Sequence, residues 1–153
     1  MLRYLAIGLA LASSLCSAQT NVLRAGKTET VKAKIGSTIS VQVPFELREG
    51  YHVNSNTPSD KYLIPLQLTW QPGLLASTGV TFPKPTMEKY AFSEIPLSVF
   101  SGTFVLTTSF KVAPTAAPGP TAINGKLRYQ ACNNRECLAP RILDFAVQVD
   151  LVR

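Results

Sequence analysis

Short runs of alternating apolar and polar residues, each cut off by glycine or proline, constrain this chain more than any other feature. Within residues 38–47, Ile39, Val41, Val43, Phe45 and Leu47 share one parity. Within residues 104–112, Phe104, Leu106, Thr108, Phe110 and Val112 do the same. The pattern returns in Val31, Ala33 and Ile35, in Ile64, Leu66, Leu68 and Trp70, in Ile123, Gly125, Leu127 and Tyr129, and in Leu143, Phe145, Val147, Val149 and Leu151. A period of two reads as half-buried strands. Residues 51–54, 80–82 and 97–100 add shorter strands. Gly36-Ser37, Pro72-Gly73 and Gly102 mark turns between them. Pro44 lies on the outward parity of its run, which suits an edge or a bulge. Pro83-Lys84-Pro85 forbids continuation of the strand before it. Residues 86–95 read as a loop with apolar tips, and Met87, Tyr90 and Phe92 within it read as core. No stretch of useful length repeats at 3.6 residues. About eight or nine short strands joined by Gly/Pro turns predict an all-β fold, an immunoglobulin-like antiparallel β-sandwich.

Residues 1–18 stand apart from that pattern. Arg3 gives a positive start, residues 5–11 are apolar but short for a bilayer, and Ser17-Ala18 precedes Gln19. We expect a signal peptide over 1–18, cleaved after Ala18, and one domain over 19–153. The protein would then be exported, to a periplasm or its equivalent. A lipid anchor on Cys16 is the weaker alternative, because Leu15 replaces the small residue that such a site wants. Loss of Cys16 leaves two cysteines. Nothing after residue 18 is long and apolar enough for a membrane helix, so no membrane insertion follows signal removal. The 15 Lys+Arg outnumber 9 Asp+Glu for a net charge of +6. The basic residues are scattered without aromatic interleaving, which argues against nucleic acid as a partner.

The remaining cysteines, Cys132 and Cys137, lie between the last two alternating runs, at the expected mouth of a hairpin. An oxidising compartment lets them pair. As a passive staple, a ring this short contributes only ~2 kcal/mol, against ~4.7 for a 100-residue loop. As a redox pair, they need an accessible sulfur and a partly ionised thiol. Arg135 inside the loop, with Arg128 and Arg141 flanking it, favours a thiolate, while Glu136 opposes it. Both readings stay open on spacing alone. Zinc fits poorly, since its sites are usually four-coordinate and the chain adds only His52 to the pair. No cofactor motif is present. His52 could serve a cysteine hydrolase as base, but it reads first as a histidine packed at a strand end with its ring hydrogen-bonded nearby. Asp144 and Asp150 read as surface charge.

Four stretches carry a resemblance to a known family: Gly50-Tyr51-His52-Val53-Asn54-Ser55-Asn56, then Pro65 with its following strand, then Val80-Thr81-Phe82-Pro83-Lys84-Pro85, and above all Tyr129-Gln130-Ala131-Cys132-Asn133-Asn134-Arg135-Glu136-Cys137-Leu138-Ala139-Pro140. Over residues 27–152 the sequence resembles the N-terminal periplasmic domain of the thiol:disulfide interchange protein DsbD, a protein-disulfide reductase. The resemblance implies an immunoglobulin-like sandwich whose cysteine pair, here Cys132 and Cys137, shuttles between disulfide and dithiol. It implies electrons taken from a membrane-embedded carrier and passed to periplasmic thioredoxin-like or disulfide isomerase proteins, including those of cytochrome c biogenesis. It assigns contact with the partner to Cys137, and a capping role over the cysteines to Tyr90 or Phe92, by position. The cysteine spacing is one residue shorter than in the best-known members. The chain ends at Arg153, so a reductase built on it would draw electrons from a separate protein. The competing expectation is an immunoglobulin-like protein-binding module with a purely structural disulfide.

Overall fold

A computed structural model describes residues 21–153. The expected signal peptide over 1–18 and the alternative at Cys16 lie outside those residues. The described residues form twelve strands rather than eight or nine: β1 Leu23–Ala25, β2 Val31–Lys34, β3 Thr38–Leu47, β4 His52–Asn54, β5 Gln67–Trp70, β6 Leu75–Thr81, β7 Thr86–Glu88, β8 Leu97–Ser101, β9 Thr103–Val112, β10 Gly119–Tyr129, β11 Ala131–Cys132 and β12 Arg141–Val152. Two four-stranded sheets, ordered β1-β3-β9-β6 and β2-β12-β10-β5, face each other as an immunoglobulin-like sandwich. A third, β11-β4-β8-β7, closes one end.

Alternation explains the core. Val41, Val43, Phe45 and Leu47 of β3 and Phe104, Leu106, Phe110 and Val112 of β9 point inward. They meet Ile123, Leu127 and Tyr129 of β10 and Val147, Val149 and Leu151 of β12. Thr108 is the polar member of the inward row on β9. Its hydroxyl accepts a hydrogen bond from Trp70 Nε1 across the sandwich, at 3.1 Å, so neither group is buried unpaired. The Trp70 ring meets Phe110 and Phe145 edge-on, at 5.0 and 5.3 Å between centroids. Gly125 faces the same space. A Cβ there would come within 2.5 Å of Phe145 Cζ and 2.9 Å of Trp70 Cζ3. Its lack of a side chain is what lets the two rings close over β10.

The details depart from the sequence reading in four places. The sandwich is not wholly antiparallel. Gly36, at φ 77°, turns the chain out of one sheet into the other, so β2 pairs in parallel with β12 (Val149 opposite Val31) instead of folding back on β3. Pro44 lies on an inner strand, not an edge. Its carbonyl accepts from Gly26 N–H at 2.8 Å, just past the end of β1. The N and C=O of a residue in an antiparallel strand face the same neighbour, so the missing donor falls where β1 has stopped. The strand read at 80–82 begins earlier, at Leu75, with a register shift between Ser77 and Gly79. Finally, Thr86–Glu88 is a strand and not a loop. The two prolines end β6, but immediately after Pro85 the chain pairs with β8 in the third sheet.

Gly125→Ala should cost about 1–3 kcal/mol, the usual penalty for overpacking a filled site. The drop would appear as a lower urea midpoint, and an unchanged midpoint would contradict this account of the Trp70–Phe145 contact.

Candidate functional site

The cysteines sit where the chain changes sheets. β10 and β12 pair as a hairpin up to Tyr129 opposite Arg141. At Ala131 the chain leaves that pairing and joins β4, with Ala131 opposite Val53 and Cys132 opposite His52. The connection then turns back on itself. Asn133 Oδ1 accepts from the backbone N–H groups of Arg135 and Glu136, at 2.8 and 2.9 Å. Asn133 N–H donates to the Glu136 carbonyl at 2.9 Å, and Leu138 N–H to the Ala131 carbonyl at 2.8 Å. The Gln130 amide donates to the Leu138 carbonyl at 3.1 Å. This local bonding brings Cys137 back to Cys132 as a disulfide, with an S–S distance of 2.05 Å. The two ends differ sharply in access. Cys132 is 1% exposed, whereas Cys137 lies on the surface.

The third sheet has two faces, set by the same alternation. Val53, Phe100 and Ala131 point into the main core. The register places Cys132, His52, Asn54, Ser101, Val99, Leu97, Thr86 and Glu88 on the other face. The segment between β7 and β8, residues 89–96, returns over that face. Tyr90 packs there with Leu97, Val99 and Leu63, a second apolar cluster separate from the main core. Its ring stacks on His52 at 4.0 Å and an interplanar angle of 17°. Phe92 lies to the side of that pair, 5.5 Å from Tyr90 and 6.5 Å from His52, and is 43% exposed.

A polar line runs beneath this loop. The Tyr90 hydroxyl donates to Glu88 Oε2 at 2.5 Å. Glu88 Oε1 accepts from Thr86 Oγ1 at 3.1 Å and Ser101 Oγ at 3.4 Å. These donors, the Tyr90 hydroxyl foremost, hold the Glu88 carboxyl below its usual range against the opposing effect of burial. Burial, and then the bond to Glu88, pushes the Tyr90 phenol well above its usual range. Burial lowers the His52 imidazole, and the nearby Glu88 charge partly offsets it. His52 is 2% exposed, and its Nε2 has no hydrogen-bond partner among the described residues.

The structure thus joins Cys132 to Cys137 and sets His52 opposite Cys132, with Tyr90 stacked on His52 and Phe92 packed next to Tyr90. The expected hydrogen bond on the His52 ring is not made at Nε2; stacking holds the ring instead. Of the three residues read as core from composition, only Tyr90 is buried. Met87, 62% exposed, and Phe92 point outward, because residues 86–88 pair at a sheet edge and the segment after them lies over the site rather than in it. Arg135 is exposed in the turn that Asn133 holds. Asp144 is a surface residue, paired across the strands with Lys126 at 3.0 Å. Glu88 and Ser101 are the contributors that sequence reasoning missed. Thr86, Glu88 and Tyr90 recur every second residue directly after Pro85, and that period was the available signal for one polar face.

The family model described as thiol:disulfide interchange protein DsbD, N-terminal, matches residues 19–148. Among solved structures, the N-terminal periplasmic domain of ScsB from Proteus mirabilis is similar with a TM-score of 0.54 at 15% identity, over 84% of this chain and 45% of that one. The reduced N-terminal domain of DsbD from Neisseria meningitidis aligns with a TM-score of 0.47 at 18% identity, over 71% of this chain and 76% of that one. No curated protein sequence matches.

Glu88 binds its proton more weakly when folded than the ordinary value of 4.5. Its carboxylate therefore adds stability that is present above pH ~4.5 and lost as pH falls through the lower folded value. Tyr90→Phe removes the main cause. We expect it to cost about 1 kcal/mol at pH 7, with the gap to wild type shrinking toward pH ~3. Denaturant unfolding at both pH values checks this, and a gap independent of pH would refute it.

Proposed function

Because the chain belongs to the family of the N-terminal domain of the thiol:disulfide interchange protein DsbD, we propose that it passes electrons between exported proteins through the Cys132–Cys137 pair. The observation that carries this reading is the asymmetry of the pair: a disulfide with one end on the surface and the other enclosed by the third sheet. Exchange needs one sulfur that a foreign sulfur can reach in line. Cys137 meets that need, and Cys132 does not. In the reducing direction the Cys137 thiolate attacks the partner's disulfide, forms a mixed disulfide and expels one partner thiolate. Cys132 then attacks Cys137, releases the second partner thiolate and restores the disulfide. Two electrons move from the cysteine pair to the partner.

Tyr90 and Phe92 act in this reading as the cap that limits casual access, and Arg135 supplies positive charge that favours the Cys137 thiolate. Residues 1–18 act as a signal peptide, and residues 19–153 form a single interchange domain. In support, the family match begins at residue 19, and the ScsB relative is named a periplasmic domain. The partners would be a membrane-embedded electron carrier on one side. On the other would be periplasmic thioredoxin-like or disulfide isomerase proteins, including those of cytochrome c biogenesis.

Cys132→Ser, which keeps the exposed sulfur, should trap a mixed disulfide with a periplasmic thioredoxin-like protein; Cys137→Ser should trap at least tenfold less. The wild-type pair should titrate at roughly −180 to −270 mV. A potential well below about −300 mV with no trapped species would leave a binding module braced by an inert disulfide.

A further inference from the structure

We propose that His52 takes the proton from the Cys132 thiol when that sulfur closes the disulfide, and returns it when the disulfide opens. The inference rests on the interchange reading above and assigns the base that reading lacks. A thiol must lose its proton to attack. Cys137 can lose its proton to water, being exposed. Cys132, at 1% exposure, cannot readily do so, and burial opposes its ionisation. A base already in place removes that obstacle.

His52 is in place. It stands directly opposite Cys132 in the β4–β11 pair, on the same face. Opposed residues in such a pair hold their Cβ atoms about 4.5–5.5 Å apart. The imidazole is buried and Nε2 is unengaged, so the ring has capacity for a proton. Its position is fixed by the stack on Tyr90, and Tyr90 is fixed in turn by its bond to Glu88. The groups around the ring sort by role. Ser101 on β8 and Asn134 in the cysteine loop do not titrate. Tyr90, in the loop above, holds its own proton, since burial and Glu88 both raise it. Glu88 on β7 is too weak a base, held low by its donors, but its charge favours the protonated ring. His52, Glu88, Tyr90, Ser101 and Asn134 also line a cavity of about 170 Å³.

In the mixed disulfide, the Cys132 S–H bond breaks and its proton goes to the imidazole. The freed electron pair forms the bond to Cys137 Sγ. The bond from Cys137 to the partner sulfur breaks, and that sulfur leaves with its electron pair as a thiolate. The domain's dithiol is oxidised, the partner's disulfide is reduced, and the imidazolium passes its proton to the departing thiolate or to water.

The test mixes the reduced domain with one equivalent of dithiodipyridine and follows thiopyridone release. The first release reports attack by Cys137 and the second reports closure by Cys132. In His52→Phe, which keeps a ring under Tyr90, the first release should be unchanged and the second slower by on the order of 10²-fold. In Glu88→Gln, the second release should reach half its maximum at a lower pH, because the charge that favours the protonated ring is gone. Equal closure rates in wild type and His52→Phe would overturn the proposal, as would equal slowing of both releases. If His52→Phe fails to fold, an unmoved pH midpoint in Glu88→Gln overturns it instead. A wild-type domain that releases no thiopyridone at all would sink the interchange reading itself, before His52 is in question.

Discussion

Everything at the site follows from the pairing of two residues, Ala131 and Cys132, with Val53 and His52. The long hairpin of β10 and β12 could have closed with a simple turn. Instead the chain steps sideways into the third sheet, and the step commits Cys132 to a buried position. The sequence then has to return to β12 through a loop tied by Asn133 and Gln130, and that return sets Cys137 on the surface. Backbone hydrogen bonding, not the disulfide, decides which sulfur is reachable. A crosslink over so short a ring adds little to folding by chain entropy, so breaking it should leave the surrounding sheet largely intact.

The face that holds Cys132 is unusual for a strand layer. Its outer cover is a single loop with one buried tyrosine, and its polar groups are joined to one another. Glu88 is tolerable there because three hydroxyl donors converge on it. His52 is tolerable because it is stacked and burial favours its neutral form, an effect that the Glu88 charge only partly offsets. An apolar residue in place of His52 would remove the acceptor proposed for the Cys132 proton.

Much of the sandwich was legible in the residues. The inward rows of β3, β9, β10 and β12 follow from alternation, and the hairpin around the cysteines follows from the same pattern. What was not legible depended on partners distant in sequence. The parallel pairing of β2 with β12 comes from a change of sheet at Gly36, which looks like any other turn. Pro44 is permitted on an inner strand only because β1 is short. Residues 86–88 looked like loop because two prolines precede them and the alternation of Thr86, Glu88 and Tyr90 marks a polar row, not an apolar one. At the site, the cysteine motif was visible through resemblance. Glu88 was not, because its importance comes from Tyr90 and Ser101 closing on it in space.

Trp70 is the chain's one tryptophan. It sits between the large sheets, hydrogen-bonded to Thr108 and flanked by Phe110 and Phe145. The molecule therefore carries a built-in fluorophore whose emission reports first on whether the two halves of the sandwich remain joined. Chemistry at the sulfurs takes place on another sheet. Folding and redox state can accordingly be followed by separate optical signals in the same sample.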